Sequence, residues 1–383
     1  MSNRYDVVII GAGSVGLPIT TYLAESKKKV LCLESNFSFG QGNNKKAIGG
    51  VRASHSDYGK IKLCQRSIEI LSTWESISGN EIGWLSNGYT FVAYNEKAEK
   101  TLKETLQYQV ALGLNTSWVN PETLDELIPG IEKRGLIGGT YSPDDGSCSP
   151  LLTANAFFFK SLEKGATYRF QEKVIDIVFA HGEFTIKTNK NEYVALFLVN
   201  AAGNHARTIS QLAGFDCPVQ PESHEAGVTD AVQRFFEPMV VDISSAPGSS
   251  NFYFYQYHEG PVIFCITPDP PIYGTDSDAT SQFLPLCVAR MLKVYPRLKN
   301  LKIRRQWRGQ YPMTPDGFPI IGKMKENSHF IQAVGMCGQG FMLGPGVGEL
   351  IVKIIDNSLS EDDLKILQSF DPYRDFKGME AFK

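Results

Sequence analysis

The stretch Val7-Val8-Ile9-Ile10-Gly11-Ala12-Gly13-Ser14-Val15-Gly16 decides the fold of this 383-residue chain. Its four leading apolar residues predict a buried strand, and the three spaced glycines predict a sharp turn into a helix. Gly11 allows the turn, Gly13 lets the backbone approach a pyrophosphate, and Gly16 lets the helix press against the strand. We therefore predict a dinucleotide-binding unit in which the N–H groups at the helix start face the anion.

Glu34 supports this prediction because it ends the next apolar run, Val30 to Leu33, roughly 20 residues after the glycines. A carboxylate at that place accepts hydrogen bonds from the ribose of adenosine and repels a 2′-phosphate. The pattern thus disfavours NADP. The alternative is a glycine-rich turn in an ordinary βαβ unit with no ligand.

Composition excludes several classes of function. The chain is 42% hydrophobic and 21% charged with a formal net charge of -3, which is typical of a soluble protein of about two domains and provides no basic surface for nucleic acid. It starts without a charged and apolar leader and contains no apolar run of membrane-spanning length, so we predict a cytoplasmic protein. Seven cysteines without a CxxC pair and six scattered histidines predict reduced, buried thiols and no metal site.

The order of predicted elements indicates a discontinuous nucleotide-binding domain. Helices are predicted over 60–74, 96–112, 121–127, 151–162, 281–294 and 346–355, and strands over 172–179, 183–188, 193–199, 252–257, 262–266 and 330–333. We assign 1–85, 149–218 and 313–383 to the nucleotide-binding domain. The two inserts, 86–148 and 219–312, are predicted to form a sheet-rich substrate domain.

Two more glycine-containing segments lie far along the chain. The segment Asn200-Ala201-Ala202-Gly203 follows an apolar strand, where small residues allow either a ligand or tight helix–strand packing. Several glycines between Gly335 and Gly348 precede a helix. A helix N-terminus there would stabilise negative charge on the N1/C2=O edge of a reduced flavin, whereas nicotinamide needs no anion site. This segment favours a flavin.

Together these segments resemble the D-amino-acid-oxidase-like flavoenzymes, and within them the group of the sarcosine oxidase β-subunit and the L-proline dehydrogenase β-subunit. The resemblance rests on the first glycine motif with Glu34, on Lys46-Ala47-Ile48-Gly49-Gly50-Val51-Arg52, on the Asn200 segment, on residues 307–322 with their Thr-Pro-Asp-Gly motif, and on the last glycine run. It implies an α/β (α+β) fold with a Rossmann-type FAD-binding domain and an antiparallel-sheet-rich substrate domain. It also implies two-electron oxidation of an amine.

The resemblance assigns cofactor roles to a set of residues along the chain. The pyrophosphate is held by Gly11, Gly13, Ser14 and Gly16, the ribose by Glu34 and Ser35, the phosphates from the other side by Lys46 and Ala47, and the adenine by Val174. The cofactor is further lined by Gly50, Ala202 and Gly203, and the flavin ring is faced by Gly338, Gln339, Gly340, Phe341 and Met342. Lys46 as a solvent-facing residue and Val174 as plain core are the alternatives. No cysteine or histidine stands where relatives attach flavin covalently, which implies noncovalent FAD.

The substrate side is assigned more sparsely. Arg52 follows the loop that should pass the flavin, and its planar fork suits a carboxylate; a structural salt bridge or a phosphate contact is the alternative. Tyr311 stands where many relatives carry an arginine. The tyrosines at 253, 255 and 257 alternate along one strand, as an aromatic wall or as a half-buried sheet face. Our candidate catalytic residues are Arg52, His224, Tyr255 and Tyr311, with His258 a further possible polar contact; a structural role is the alternative for either histidine.

We therefore expect an FAD-dependent oxidoreductase that converts sarcosine, proline or a similar secondary amine to an imine by hydride transfer to flavin N5. Strand 262–266 lacks the lysine that sarcosine-type oxidases place above the flavin, which hints at a dehydrogenase with an electron-accepting partner subunit or carrier. An FAD-dependent 2-hydroxy-acid dehydrogenase, an NAD-dependent dehydrogenase and a subunit whose flavin is not catalytic remain as alternatives.

Overall fold

A computed structural model describes residues 3–378 and 380 of the chain. The strands in this part are β1 (Arg4–Ile10), β2 (Val30–Glu34), β3 (Gly50–Val51), β4 (Tyr89–Ala93), β5 (Ser117–Val119), β6 (Gly138–Ser142), β7 (Gly146–Ser147), β8 (Thr167–Phe170), β9 (Val174–Ala180), β10 (Glu183–Thr188), β11 (Glu192–Asn200), β12 (Gln220–Thr229), β13 (Met239–Asp242), β14 (Ser249–Gln256), β15 (Val262–Pro268), β16 (Ile303–Met313), β17 (Ile320–Lys323) and β18 (Phe330–Val334). The helices are α1 (Gly16–Glu25), α2 (Tyr58–Ser78), α3 (Glu96–Ala111), α4 (Pro121–Leu127), α5 (Pro150–Glu163), α6 (Ala206–Leu212), α7 (Phe283–Val294), α8 (Gly340–Asp356) and α9 (Glu361–Ser369).

The first sheet is built around the N-terminal strand. Its order is β17-β18-β11-β1-β2-β8, and off this path β10 pairs antiparallel with β11 while β9 pairs antiparallel with β10. β1 runs parallel to both β2 and β11, which places the ends of all three strands at one edge. The strand, turn, helix and second strand predicted from the first glycine motif are confirmed.

Helix α8 begins at Gly340, six residues before the predicted start at Gly346. We expected the glycines before 346 to form a loop, and that expectation is wrong. Packing explains the difference, because a Cβ at Gly344 would lie 2.0 Å from the backbone oxygen of Ser14. Glycine here allows α8 to contact the first glycine motif directly, at a cost in intrinsic helix propensity of about 1 kcal/mol relative to alanine.

The second sheet has the order β16-β12-β15-β14-β13-β4-β6-β5, and its described pairs are antiparallel except β13 with β4. Alternation along β14 divides its aromatic residues between two faces. Phe252 and Phe254 pack in a core with residues of α7, whereas Tyr253, Tyr255 and Tyr257 belong to a cluster on the opposite face. The tyrosines therefore share a face, as predicted.

The mixed α/β fold class is confirmed. Strands of the first sheet come from 4–34, 167–200 and 320–334, and strands of the second come from 89–142 and 220–313. We propose that the two sheets correspond to the two domains predicted from the sequence. In the described residues no helix is long and apolar enough to cross a membrane, and all seven cysteines are buried free thiols, as predicted.

Candidate functional site

One cavity of about 590 Å³ is lined by residues of both sheets and by all three glycine-containing segments. Its volume lies within the range of about 300–1,000 Å³ that ligand pockets commonly have. The residues predicted for the cofactor that line it are Gly11, Gly13, Ser14, Glu34, Ser35, Lys46, Ala47, Gly50, Val174, Ala202, Gly203, Gly338, Gln339, Gly340, Phe341 and Met342. Residues more than 300 positions apart thus converge on one cavity.

Gly16 is the exception among the predicted cofactor residues, since it lies outside the cavity lining. A Cβ at Gly16 would approach the backbone oxygen of Gly11 to 1.8 Å, so glycine is required for packing of α1 against the strand. Gly13 differs, because a Cβ there would meet no protein atom within 4 Å. Gly13 therefore lies beside open space, and Gly16 has the packing role predicted from the first motif. The contact of either glycine with a pyrophosphate stays a prediction.

Glu34 is held firmly at the edge of the cavity. The residue is 8% exposed, and its carboxylate accepts hydrogen bonds from the Ala12 backbone N–H at 3.0 Å and from the backbone and side-chain N–H groups of Asn36 at 2.8 Å each. These donors fix the side chain before any ligand arrives. The arrangement fits a ribose and opposes a phosphate at the same position.

The N-terminus of α8 forms another part of the lining. Residues Gly338 to Met342 all line the cavity, and the first backbone N–H groups of the helix are free of intrahelical partners. The side-chain oxygen of Gln339 is buried and has no hydrogen-bond partner among the described residues. An unpaired buried acceptor costs roughly 1–3 kcal/mol, so this oxygen fits a ligand that donates a hydrogen bond.

Lys46 lines the cavity from the short helical turn Asn44–Lys46. Its ammonium group donates to the hydroxyl of Ser277 at 2.9 Å and lies 3.4 Å from the side-chain oxygen of Gln310. Burial, aided by the charge of Lys45, lowers the pKa of this lysine. The contact of Lys46 with phosphates stays a prediction, and the structure adds a link between the segment after β2 and β16.

Arg52 also lines the cavity and is 7% exposed. Its guanidinium donates to the backbone oxygen of Ser54 and lies 5.3 Å from the ring centre of Phe91. Asp145 holds the same segment, because its carboxylate accepts from the Ala53 N–H at 2.7 Å and from the Ser54 hydroxyl at 2.8 Å. Arg52 is therefore a buried cation on a fixed segment.

The buried carboxyl group of Asp145 should make the free energy of unfolding of the protein depend on pH. Burial raises its pKa from 3.8 to about 6, against the hydrogen bonds from Ala53 and Ser54 that lower it. A raised pKa in the folded state means that this group stabilises the protein below pH 4, and that the contribution is lost as the pH rises through about 6. The difference between these two pKa values corresponds to about 3 kcal/mol in the free energy of unfolding.

We expect this pH dependence to disappear in Asp145→Asn. Urea unfolding of both proteins between pH 4 and 7 measures it, and the free energy of unfolding of wild type minus that of the variant should fall as the pH rises. Asp144→Asn, at an exposed neighbour, is the matched control. A difference that stays constant with pH would contradict the assignment.

The predicted polar residues Tyr311 and His224 lie together in the cavity wall. Their rings stack with centres 3.7 Å apart, and the Tyr311 hydroxyl lies 2.8 Å from that of Tyr253. Tyr255 does not line the cavity: its ring is fully buried and its hydroxyl donates to the backbone oxygen of Ile48. Tyr253 therefore replaces Tyr255 as the cavity-lining tyrosine of this strand. His258 also lies outside the lining and pairs with Glu259.

Sequence reasoning missed an apolar part of the wall. Met239, Val241 and Ile243 line the cavity beside Phe91. Their spacing of two residues is the signal of one face of a strand, but it is hidden in a short run that is apolar almost throughout. Phe91 lies against the Arg52 guanidinium, so this apolar wall is beside Arg52.

These features fit FAD. The cavity wall contains the fixed acid typical of a ribose site, a helix N-terminus and a buried cation. They define a dinucleotide-binding oxidoreductase of the flavin type. The chain belongs to the family described as FAD dependent oxidoreductase, whose model matches residues 6–354.

Comparisons with known proteins agree with this membership. The fold is similar to the crystal structure of L-proline dehydrogenase from P. horikoshii, with a TM-score of 0.90 and 29% identity over 98% of each chain. Glycine oxidase of Geobacillus kaustophilus is 22% identical over 95% of this chain and 96% of its own. Sarcosine oxidase subunit beta of an Arthrobacter species is 24% identical over 92% of this chain and 87% of its own. The predicted family and its FAD cofactor are thereby confirmed.

Proposed function

We propose that this protein oxidises a small amino acid with a secondary amine, such as proline or sarcosine, to the corresponding imine. The observation that carries the proposal is the combination at one end of the cavity: buried Arg52, the apolar side chains of Phe91, Met239, Val241 and Ile243, and the polar pair His224 and Tyr311. The similarity to L-proline dehydrogenase and to glycine and sarcosine oxidases supports the substrate class.

Each group has a distinct task in this proposal. Arg52 takes the substrate carboxylate with two parallel hydrogen bonds, which fixes the position of the α-carbon. The apolar side chains exclude water and so favour the neutral amine, the form that releases hydride. Bound FAD supplies the acceptor for the two electrons and the hydrogen.

Anaerobic bleaching of the flavin tests the proposal. We expect the yellow protein to lose its absorbance near 450 nm when mixed with L-proline or sarcosine in the absence of oxygen. A panel of 2-hydroxy acids is the comparison set, and bleaching by those acids alone would support the hydroxy-acid alternative. A flavin that no amine or amino acid bleaches would contradict the proposal.

We further propose that the protein is a dehydrogenase with an electron-accepting partner subunit or carrier. In the described residues, the lysine and arginine side chains that line the cavity are Lys46, Arg52 and Lys173, whereas β15 presents Cys265 and Thr267. By resemblance to sarcosine-type oxidases, a cation above the flavin activates oxygen. We therefore expect the reduced flavin to reoxidise at least about tenfold faster with a quinone or dye than with air-saturated buffer. Stopped-flow reoxidation measures this, and faster reaction with oxygen would contradict it.

Noncovalent attachment and a cytoplasmic location also belong to the proposal. The cavity-lining thiol of Cys337 is buried and donates to the backbone oxygen of Gly335 at 3.0 Å, with the Thr314 hydroxyl 3.3 Å away. This engagement supports a flavin held without a cysteine bond. Acid precipitation should release all flavin into the supernatant, and flavin that stays with the pellet would contradict this part.

A further inference from the structure

We propose that Glu222 is a positioning residue that fixes the tautomer of His224, so that Nδ1 of His224 accepts a proton from the substrate nitrogen. The proposal rests on the amine oxidation proposed above. It goes beyond it by assigning the proton acceptor and the residue that orients it.

The backbone first places the two side chains together. Glu222 and His224 lie two residues apart on β12 and so share one face of the sheet. In the pairing with β16, Glu222 is opposite Tyr311 and His224 is opposite Gly309, which carries no side chain. The imidazole can therefore lie flat on the Tyr311 ring, at a centre-to-centre distance of 3.7 Å and an angle of 19°.

The hydrogen bond to Glu222 then determines which ring nitrogen of His224 carries the hydrogen. Nε2 of His224 lies 3.0 Å from a carboxylate oxygen of Glu222, and both side chains are less than 10% exposed. An ionised carboxylate only accepts hydrogen bonds, so Nε2 carries the hydrogen and a neutral ring has its lone pair on Nδ1. Nδ1 is buried and has no partner among the described residues. Leaving it unpaired costs roughly 1–3 kcal/mol, which a substrate N–H would offset.

The neighbouring hydroxyl groups of Tyr311 and Tyr253 do not take the proton from the substrate. Burial raises the pKa of both Tyr311 and Tyr253, and the two hydroxyls lie 2.8 Å from each other. Both remain protonated at neutral pH. The Glu225 carboxylate, which also lines the cavity, already accepts hydrogen bonds from Thr280 and Gln306. Nδ1 of the imidazole has no such partner among the described residues, so it is suited to take a proton from an ammonium.

The proposed step moves one proton from the substrate nitrogen to Nδ1 of His224. A substrate amino acid enters with its nitrogen protonated, one N–H bond breaks, and its electron pair stays on nitrogen. The proton forms a bond with Nδ1, and the resulting imidazolium keeps its Nε2–H directed at the Glu222 carboxylate, whose charge stabilises it. The amine is then neutral and ready for the oxidation proposed above.

A double-mutant cycle on the FAD-loaded enzyme tests the assignment. Glu222→Gln, His224→Gln and the double variant are compared by the rate of anaerobic flavin reduction, with L-proline as substrate, divided by its dissociation constant. We expect a loss of at least about tenfold in each single variant and no additional loss in the double variant, because Glu222 acts through His224. Additive losses would overturn the inference.

Binding gives a second readout that does not depend on turnover. α-Methylproline has the amine but no hydrogen on its α-carbon, and tetrahydrofuran-2-carboxylate has an ether oxygen in place of the N–H group. Wild type should bind the amine at least about tenfold more tightly, as measured by the change in flavin absorbance, and both single variants should lose this preference. A preference kept in both variants would overturn the inference even if one variant folds poorly.

Controls separate the possible failures. Glu237→Gln removes an exposed carboxylate paired with Arg234 in the same insert and should leave both readouts unchanged. Flavin content and melting temperature show whether each variant is folded. If no amine or amino acid reduces the wild-type flavin, the proposed function itself fails; if L-proline reduces it and the cycle is additive, the role of Glu222 fails alone.

Discussion

Replacing Gly13 with alanine is expected to give a folded protein that has lost most of its affinity for FAD. The added Cβ would meet no protein atom within 4 Å, so the apoprotein has no new clash. It would instead occupy the open side of the turn, where the backbone must approach the pyrophosphate closely. Overpacking of this kind costs about 1–3 kcal/mol, which is about 5- to 150-fold in the dissociation constant.

Gly16→Ala is the matched variant for this test. Its Cβ would lie 1.8 Å from the backbone oxygen of Gly11, so the helix and the strand would have to separate. We expect Gly16→Ala to lower the melting temperature of the apoprotein and Gly13→Ala to leave it unchanged. Titration of apoprotein with FAD, followed by quenching of flavin fluorescence, gives the affinities. A Gly13→Ala variant with wild-type affinity would contradict the pyrophosphate assignment.

The contrast between these two glycines also shows how far sequence reasoning reaches. The first motif is local: strand, turn, helix and Glu34 follow from residues close in the chain, and the structure contains them as predicted. The start of α8 could not be predicted in the same way. Gly344 lies inside a helix because it contacts Ser14, about 330 residues away, and no local pattern contains that contact.

The substrate end shows the same limit. Alternation along β14 correctly placed Tyr253 and Tyr255 on one face of the sheet. Which of the two lines the cavity depends on where the first sheet and its loops cross that face, so Tyr253 lines it and Tyr255 is covered by Ile48. The sequence does not single out Glu222, for a related reason. His224 stands as an isolated histidine in the sequence, and only the folded strands show it against Tyr311 and bonded to Glu222.

Replacing Arg52 with methionine is expected to lower kcat/KM for an amino-acid substrate by at least about 30-fold. Truncating one partner of a buried, charged hydrogen bond costs about 2–5 kcal/mol, much of it because the other charge is left unpaired in a site that excludes water. Arg52 is 7% exposed and lies among apolar side chains, so water cannot replace it easily. Arg52→Lys should recover part of the loss, since an ammonium keeps the charge but not the bidentate fork.

A substrate without a carboxylate distinguishes this role from a structural one. Arg52 also donates to the Ser54 backbone and lies over Phe91, so its removal could loosen the segment and weaken all substrates alike. If Arg52 binds the carboxylate, oxidation of the cyclic amine pyrrolidine should be equally slow in wild type and in Arg52→Met, and the advantage of L-proline over pyrrolidine should disappear. Steady-state kinetics with a dye acceptor measure both substrates. An equal loss for the two amines would mean that Arg52 supports the loop that Asp145 holds, and that the carboxylate is bound elsewhere in the cavity.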